Sequence, residues 1–163
     1  MIEQTLVLVK PDGVERGLIG EIIHRFELRG LKIVGLKMVQ IDKNFAQRHY
    51  TDDITKRRGE KVRNLLLDFI TMGPVVAMCV EGVDAVENVR KLVGETQPMK
   101  ALPGTIRGDY SHVSYSHCDE KGMAVRNLVH ASANKEEAQA EVSLWFAIDE
   151  LHEYKTIHEK HVF

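Results

Sequence analysis

Two cysteines are too few to staple a chain of 163 residues, and neither belongs to a CxxC pair: Cys79 lies in an apolar run and Cys118 in a polar one. A disulfide scaffold is thereby excluded, and a reducing cytoplasm is the expected location. Long apolar runs are missing too. The longest, Pro74 to Val80, is too short to cross a bilayer, and Met1-Ile2-Glu3-Gln4 lacks the basic and apolar stretches of a signal peptide. No membrane partner is expected. Charge of one sign is also scarce: the net charge of -2 leaves no global positive field to draw in a nucleic acid. Aromatic residues make up only 6% of the chain and no Lys/Arg-Gly-Phe-Gly-Phe run occurs, which speaks against a sheet that stacks RNA bases. With four prolines and no repeat or low-complexity tract, nothing marks a linker, so residues 1–163 are expected to form one domain.

What is present is the composition of a globular protein, 44% apolar and 28% charged, with periodicities that change along the chain. Thr5 to Val9 reads as a buried strand. Leu18, Ile19, Ile22, Ile23 and Phe26 form the i, i+3, i+4 stripe of an amphipathic helix ended by Gly30, and Leu31 to Ile41 reads as a second strand. Val62, Leu65, Leu66, Phe69 and Ile70 make another helical stripe, stopped at Gly73-Pro74. Val75 to Val80 is apolar at successive positions, as in a strand covered on both faces, and Asp84 can cap a helix carrying Val86, Val89, Leu92 and Val93. An irregular stretch from Gly94 to about Gly122 follows, of a length that compact domains usually reserve for function. Val125 to Val129 reads as a fourth strand, and Asn134 with Glu137 resembles a capping box opening a helix through Phe146. This order predicts an α/β (α+β) sandwich, a ferredoxin-like βαββαβ arrangement with a four-stranded antiparallel sheet.

Several residues carry chemistry. Lys10 ends the first strand ahead of the turn Pro11-Asp12-Gly13, where its ammonium can project over the sheet edge. Arg90, Thr96 and Arg107 surround glycine turns, and guanidinium forks beside glycine-loop amides are phosphate chemistry. Of the eight histidines most need no role. His24 and His49 fall in helical segments and read as surface or half-buried, and His152, His158 and His161 lie near the end of the chain, where tails are commonly mobile. His112, His117 and Cys118 have no further ligand at zinc spacing, so no metal site is expected. His130 stands apart, at the end of an apolar strand and just before a capped helix. Imidazole is a good nucleophile whose second nitrogen a neighbour can hold. Glu141 falls on the same face of the following helix as Ala138, Val142 and Trp145, where a carboxylate is costly to bury unless paired, so with Ser132 it can orient the ring.

Four segments in order, Lys10-Pro11-Asp12-Gly13-Val14, Gly94-Glu95-Thr96-Gln97-Pro98, Pro103-Gly104-Thr105-Ile106-Arg107-Gly108-Asp109 and Asn127-Leu128-Val129-His130-Ala131-Ser132, resemble those of the nucleoside diphosphate kinases, with the family order followed over residues 3 to 155. The resemblance implies a ferredoxin-like domain that moves the γ-phosphoryl group of a nucleoside triphosphate, typically ATP, to a nucleoside diphosphate by a ping-pong route through a phosphohistidine. It implies His130 as the nucleophile, Lys10, Tyr50, Ser132 and Glu141 as its catalytic neighbours, and Lys10, Arg90, Thr96, Arg107 and Asn127 as contacts to phosphates and ribose. It also implies Mg²⁺ held mainly through the nucleotide phosphates, and a homo-oligomer, a hexamer in preference to a tetramer. A nucleotide-binding regulatory module with little kinase activity is the alternative.

The chain departs from the family in three places. After His49-Tyr50 the family has an Arg-Pro-Phe-Phe segment whose first Phe stacks on the base. Here Lys56-Arg57-Arg58-Gly59-Glu60-Lys61-Val62 stands in its place, longer by about four residues. Counting back from Gly73-Pro74 puts Val62 at the stacking position and Leu66 at the next base contact. A second insertion of about ten residues lies between Arg107 and Asn127, and Ala131-Ser132-Ala133-Asn134 replaces the family's Gly-Ser-Asp-Ser. Because Val62 and Leu66 offer no hydrogen-bonding side chain, broad use of bases is expected, purines ahead of pyrimidines.

Overall fold

The computed structural model describes residues 1–162. Strands β1 (Ile2–Val9), β2 (Lys32–Val39), β3 (Val75–Val83) and β4 (Val129–Ala131) pair antiparallel in one four-stranded sheet of order β2-β3-β1-β4, the ferredoxin-like arrangement expected from the element order. Helices α1 (Pro11–Glu15) and α2 (Ile19–Leu28) follow β1; α3 (Lys43–His49), α4 (Asp52–Arg58) and α5 (Glu60–Thr71) follow β2; α6 (Ala85–Val93), α7 (Ile106–Tyr110) and α8 (Tyr115–Glu120) follow β3; α9 (Lys135–Trp145) follows β4; and α10 (Glu159–Val162) lies near the C-terminus. Among the described residues no helix is long and apolar enough to cross a membrane.

Side chains alternate across a strand, and both faces of this sheet are covered. Leu6 and Leu8 of β1 pack with Ala46 of α3, Leu67 and Ile70 of α5, and Val142 and Trp145 of α9. Val7 and Val9 pack on the opposite face with Ile22 and Phe26 of α2 and Val89 and Val93 of α6. That is why Thr5–Val9 is buried at every position. Each such fully buried Leu or Val side chain stabilises the fold by roughly 1.5–3 kcal/mol over exposure.

Four details differ from the sequence reading. The fourth strand begins at Val129 rather than Val125, because Leu128 takes a left-handed φ of 70° and the Val129 N–H bonds back to the Asn127 carbonyl at 2.8 Å, a three-residue turn that no strand continues through. The stretch from Gly94 to Gly122 holds α7, α8 and a short 3-10 turn at Pro98–Lys100. Gly108 is required there, since a Cβ would lie 2.1 Å from the Leu102 carbonyl oxygen. Asp84 stands before α6 but its side chain makes no cap bond; it pairs with the N-terminal ammonium at 3.3 Å, while Glu3 accepts the Val86 N–H. Finally, the C-terminal segment is docked on β2. The His152 N–H bonds the Val34 carbonyl at 2.8 Å, the Tyr154 hydroxyl donates to the Ile33 carbonyl at 2.7 Å, and Lys32 pairs with Glu159 at 3.1 Å.

Candidate active site

His130 is the middle residue of β4, directly opposite Leu8. Residues opposite each other share a face, so His130 stands on the Leu8 side of the sheet, the side covered by α3, α5 and α9. Glu141 of α9 meets it there: both carboxylate oxygens lie 2.9 Å from His130 Nε2. The Ser132 hydroxyl donates to Glu141 Oε2 at 2.6 Å and accepts the Leu6 N–H at 3.3 Å, so its proton has one destination. Burial alone would raise the Glu141 carboxyl, but the charge and hydrogen bond of His130, with His49 and Ser132, outweigh it and hold the group below the usual carboxylate range. An ionised Glu141 takes the N–H of Nε2 and leaves the Nδ1 lone pair of His130 uncommitted.

His49 belongs to this cluster, contrary to its reading as surface or half-buried. It is buried at the end of α3, with its ring centroid 4.5 Å from that of His130 and its Nδ1 3.5 Å from Glu141 Oε1. The Trp145 indole N–H donates to the same Nδ1 at 3.3 Å. Burial first, then the neighbouring His130, hold His49 down to about 3, so it is a neutral wall and no proton carrier. A signal was present in the sequence, since His49 continues the apolar face of α3 set by Phe45 and Ala46. Tyr50 is buried next to it, with its ring centroid 6.4 Å from that of His130, and burial raises its phenol so that it stays protonated.

The cations come from the residue just past the C-terminal end of β1 and from α7, beside the turn before β4. Lys10 Nζ donates to Asn127 Oδ1, and the Asn127 amide donates to the Thr96 carbonyl at 2.7 Å. Lys10 is buried, and burial lowers its ammonium to about 7, helped by Arg107 and Arg126 and opposed by Asp12. Arg107 donates from Nε to the Asn127 carbonyl at 3.3 Å, from Nη1 to that of Gly94 at 2.9 Å and from Nη2 to that of Val129 at 2.8 Å. A guanidinium has five N–H groups, so about two remain for a ligand. Asp12 does work that the sequence pattern did not single out. Its Oδ2 accepts the Leu128 N–H at 3.0 Å while the Lys10 N–H bonds the Leu128 carbonyl at 2.8 Å, which locks the left-handed residue from both sides.

These groups open onto one cavity of about 660 Å³. Lys10, Tyr50, Arg90, Thr96, Arg107, Asn127, His130 and Glu141 line it, and so do Val62 and Leu66. Ser132 does not reach the cavity and acts through Glu141. Arg90 and Thr96 are exposed at the rim. Both insertions contribute to it: Arg57 and Arg58 from the first, Tyr115 and Asp119 from the second. Among the described residues, the side chains that could together hold a metal ion are His49, His130 and Glu141, which already bond one another or Trp145. Cys118 is buried, and His112 and His117 are exposed.

Comparison with known proteins gives a consistent result. A sequence model of the family described as nucleoside diphosphate kinase matches residues 3–151. The nucleoside diphosphate kinase of Borreliella burgdorferi is 49% identical over 156 residues, 95% of this chain and 93% of that protein. That of Pyrococcus furiosus is 51% identical over 153 residues, 94% and 88% of the two chains. Among solved structures, a transition state mimic of the nucleoside-diphosphate kinase from Borrelia burgdorferi with bound vanadate and ADP is similar with a TM-score of 0.97 and 48% identity, over 99% of this chain and 96% of that one. A halophilic nucleoside diphosphate kinase from Halobacterium salinarum in complex with CDP is similar with a TM-score of 0.85 and 41% identity, over 100% and 99% of the two chains.

Proposed function

The chain belongs to the nucleoside diphosphate kinase family, and from that premise we propose that it transfers the γ-phosphoryl group of a nucleoside triphosphate to a nucleoside diphosphate through a phosphohistidine at His130. The observation that carries the assignment of His130 is the contact of both Glu141 oxygens with its Nε2 at 2.9 Å. With that nitrogen protonated and held, Nδ1 attacks the γ-phosphorus in line; the N–P bond forms as the bond to the β,γ-bridging oxygen breaks, and the diphosphate leaves with that electron pair. Positive charge that develops on the imidazole is met by Glu141, whose own orientation is set by Ser132. Lys10, Arg90 and the free N–H groups of Arg107 meet the negative charge on the transferring oxygens. Asn127 and Thr96 hold Lys10 in place as well as bordering the ribose side. Tyr50, kept as a phenol, packs beside the nucleophile. A second diphosphate then enters the same cavity and the step runs in reverse.

The substrate of this reading is the Mg²⁺ complex of the nucleotide, in which the ion offsets charge on the β- and γ-oxygens. The residues here suit an ion carried in on phosphate oxygens, because the cavity's phosphate end offers ammonium and guanidinium groups, whereas Mg²⁺ takes oxygen ligands. The same reading takes residues 1–163 as one cytoplasmic domain and the protein as a homo-oligomer, a hexamer before a tetramer. Support comes from apolar side chains left exposed on the 94–108 loop and on β2, among them Leu102 at 72% and Met38 at 55%.

Incubation with [γ-³²P]ATP should place an acid-labile label on the wild-type protein, which GDP then removes as labelled GTP. His130→Ala should take no label and retain less than about one percent of the transfer rate while still binding nucleotide. A higher residual rate would overturn the assignment, and a wild type that binds nucleotide without taking label would be the regulatory module.

A further inference from the structure

We propose that the two inserted segments build a base-recognition wall for the nucleotide, in which Tyr115 supplies the flat face and Asp119 an acceptor that favours guanine. The proposal rests on the reading of the cavity as the nucleotide site. The sequence left the cavity without an aromatic residue at position 62, and the structure returns one from elsewhere in the chain. Tyr115 opens α8 and lines the same cavity as the half-buried aliphatic side chains of Ile54, Val62 and Leu66. A flat ring system fits between an aromatic face and an aliphatic one. The two insertions also touch: the Arg58 guanidinium lies over the Tyr115 ring, 5.8 Å from its centroid, so each braces the other.

Asp119 sits one helical turn after Tyr115, and residues four apart on a helix lie one above the other on the same side. Both line the cavity, while Cys118 between them is turned into the protein and buried. The Asp119 carboxylate is exposed and bonds no other side chain among the described residues. A carboxylate only accepts hydrogen bonds. Guanine presents two adjacent donors on its pairing edge, N1–H and N2–H, which a carboxylate takes with both oxygens. Adenine and cytosine each present one amino donor beside a ring-nitrogen lone pair that repels it. Uracil presents a single N–H between two carbonyl oxygens. The wall therefore discriminates where Val62 and Leu66 do not, and the broad base use expected from those two residues narrows toward guanine.

Phosphotransfer from saturating ATP to GDP, ADP, CDP and UDP tests this in the full chain, with thermal melting to show that each variant folds. The wild type is expected to use GDP with the highest kcat/KM. Tyr115→Ala should raise KM for the purine diphosphates roughly tenfold, and Tyr115→Phe should restore it. Asp119→Asn should lower the GDP-to-ADP ratio of kcat/KM by about fivefold. An unaltered KM in Tyr115→Ala, or an unaltered GDP-to-ADP ratio in Asp119→Asn, would overturn the proposal while leaving the kinase reading intact. A wild type that forms no phosphohistidine would instead overturn the reading on which it rests.

Discussion

Around His130, Arg107 is held by three backbone carbonyls, Asn127 by Lys10 and the Thr96 carbonyl, and His130 by a carboxylate that Ser132 holds in turn. Around the two insertions, Val62 and Leu66 are half-buried aliphatics, and Arg58 meets Tyr115 only through a ring face. The first region is over-determined by directional bonds among buried groups, and a small displacement there leaves polar atoms unpaired. The second is shaped by contact area and tolerates change. One cavity thus combines groups fixed by buried, directional bonds with a lining shaped by contact area, and the insertions contribute to the second.

The sharpest way to break that contrast is Glu141→Gln. The amide keeps the shape but cannot take the proton-bearing side of His130 as an anion, so transfer should slow by roughly 10- to 1000-fold. An unchanged rate would show that the carboxylate merely packs. Lys10→Met should act next most strongly. Burial holds Lys10 near 7, and a bound phosphate favours its charged form. Nucleotide binding at pH 8 should then take up close to one proton, measured by calorimetry in buffers of different ionisation enthalpy. Lys10→Met should abolish the uptake and weaken binding by about 1.5–3 kcal/mol.

His49→Phe should change stability more than rate. The folded protein holds His49 at about 3 by burial, whereas an unfolded histidine titrates near about 6.5. Between those values the unfolded chain binds a proton that the folded one refuses, so stability falls as the pH drops through that window. The variant should flatten that limb of the melting profile, and a limb of undiminished slope would place the acid sensitivity elsewhere. Glu141, held below its ordinary range, contributes stability that is full above the unfolded carboxylate value and is lost as the pH falls from there through its lowered folded one. The smallest effect is expected at Val62: on the proposed placement of the base, Val62→Phe should lower KM for purine diphosphates by about two- to fivefold through added stacking area. A pyrimidine-only gain, or none, would place Val62 away from the base.

Much of this architecture was legible from the order of residues alone, because it is written in local periodicity. The unbroken apolar run of β1, the stripes of α2 and α5, and the Asn134 cap each depend on neighbours within a few positions, and the motif around His130 marks it as the candidate nucleophile without reference to the rest of the chain. Periodicity cannot report a conformation imposed from outside the segment. Val125 to Val129 reads as a strand by composition, yet Asp12 and Lys10, more than a hundred residues earlier, hold Leu128 at a left-handed φ and delay β4 to Val129. His49 likewise looks like one more helical histidine until Trp145 and Glu141 close over it. The meeting of α4 and α8 across the cavity was unreadable for the same reason. Sequence by itself determined the sheet order and pointed to His130 and the cations proposed to serve it, since these follow from short-range patterns and residue chemistry. Only the tertiary structure decided which groups are buried together, which partner each ring nitrogen meets, and that Tyr115 lines the same cavity as Val62, because burial and pairing are properties of contacts made far along the chain.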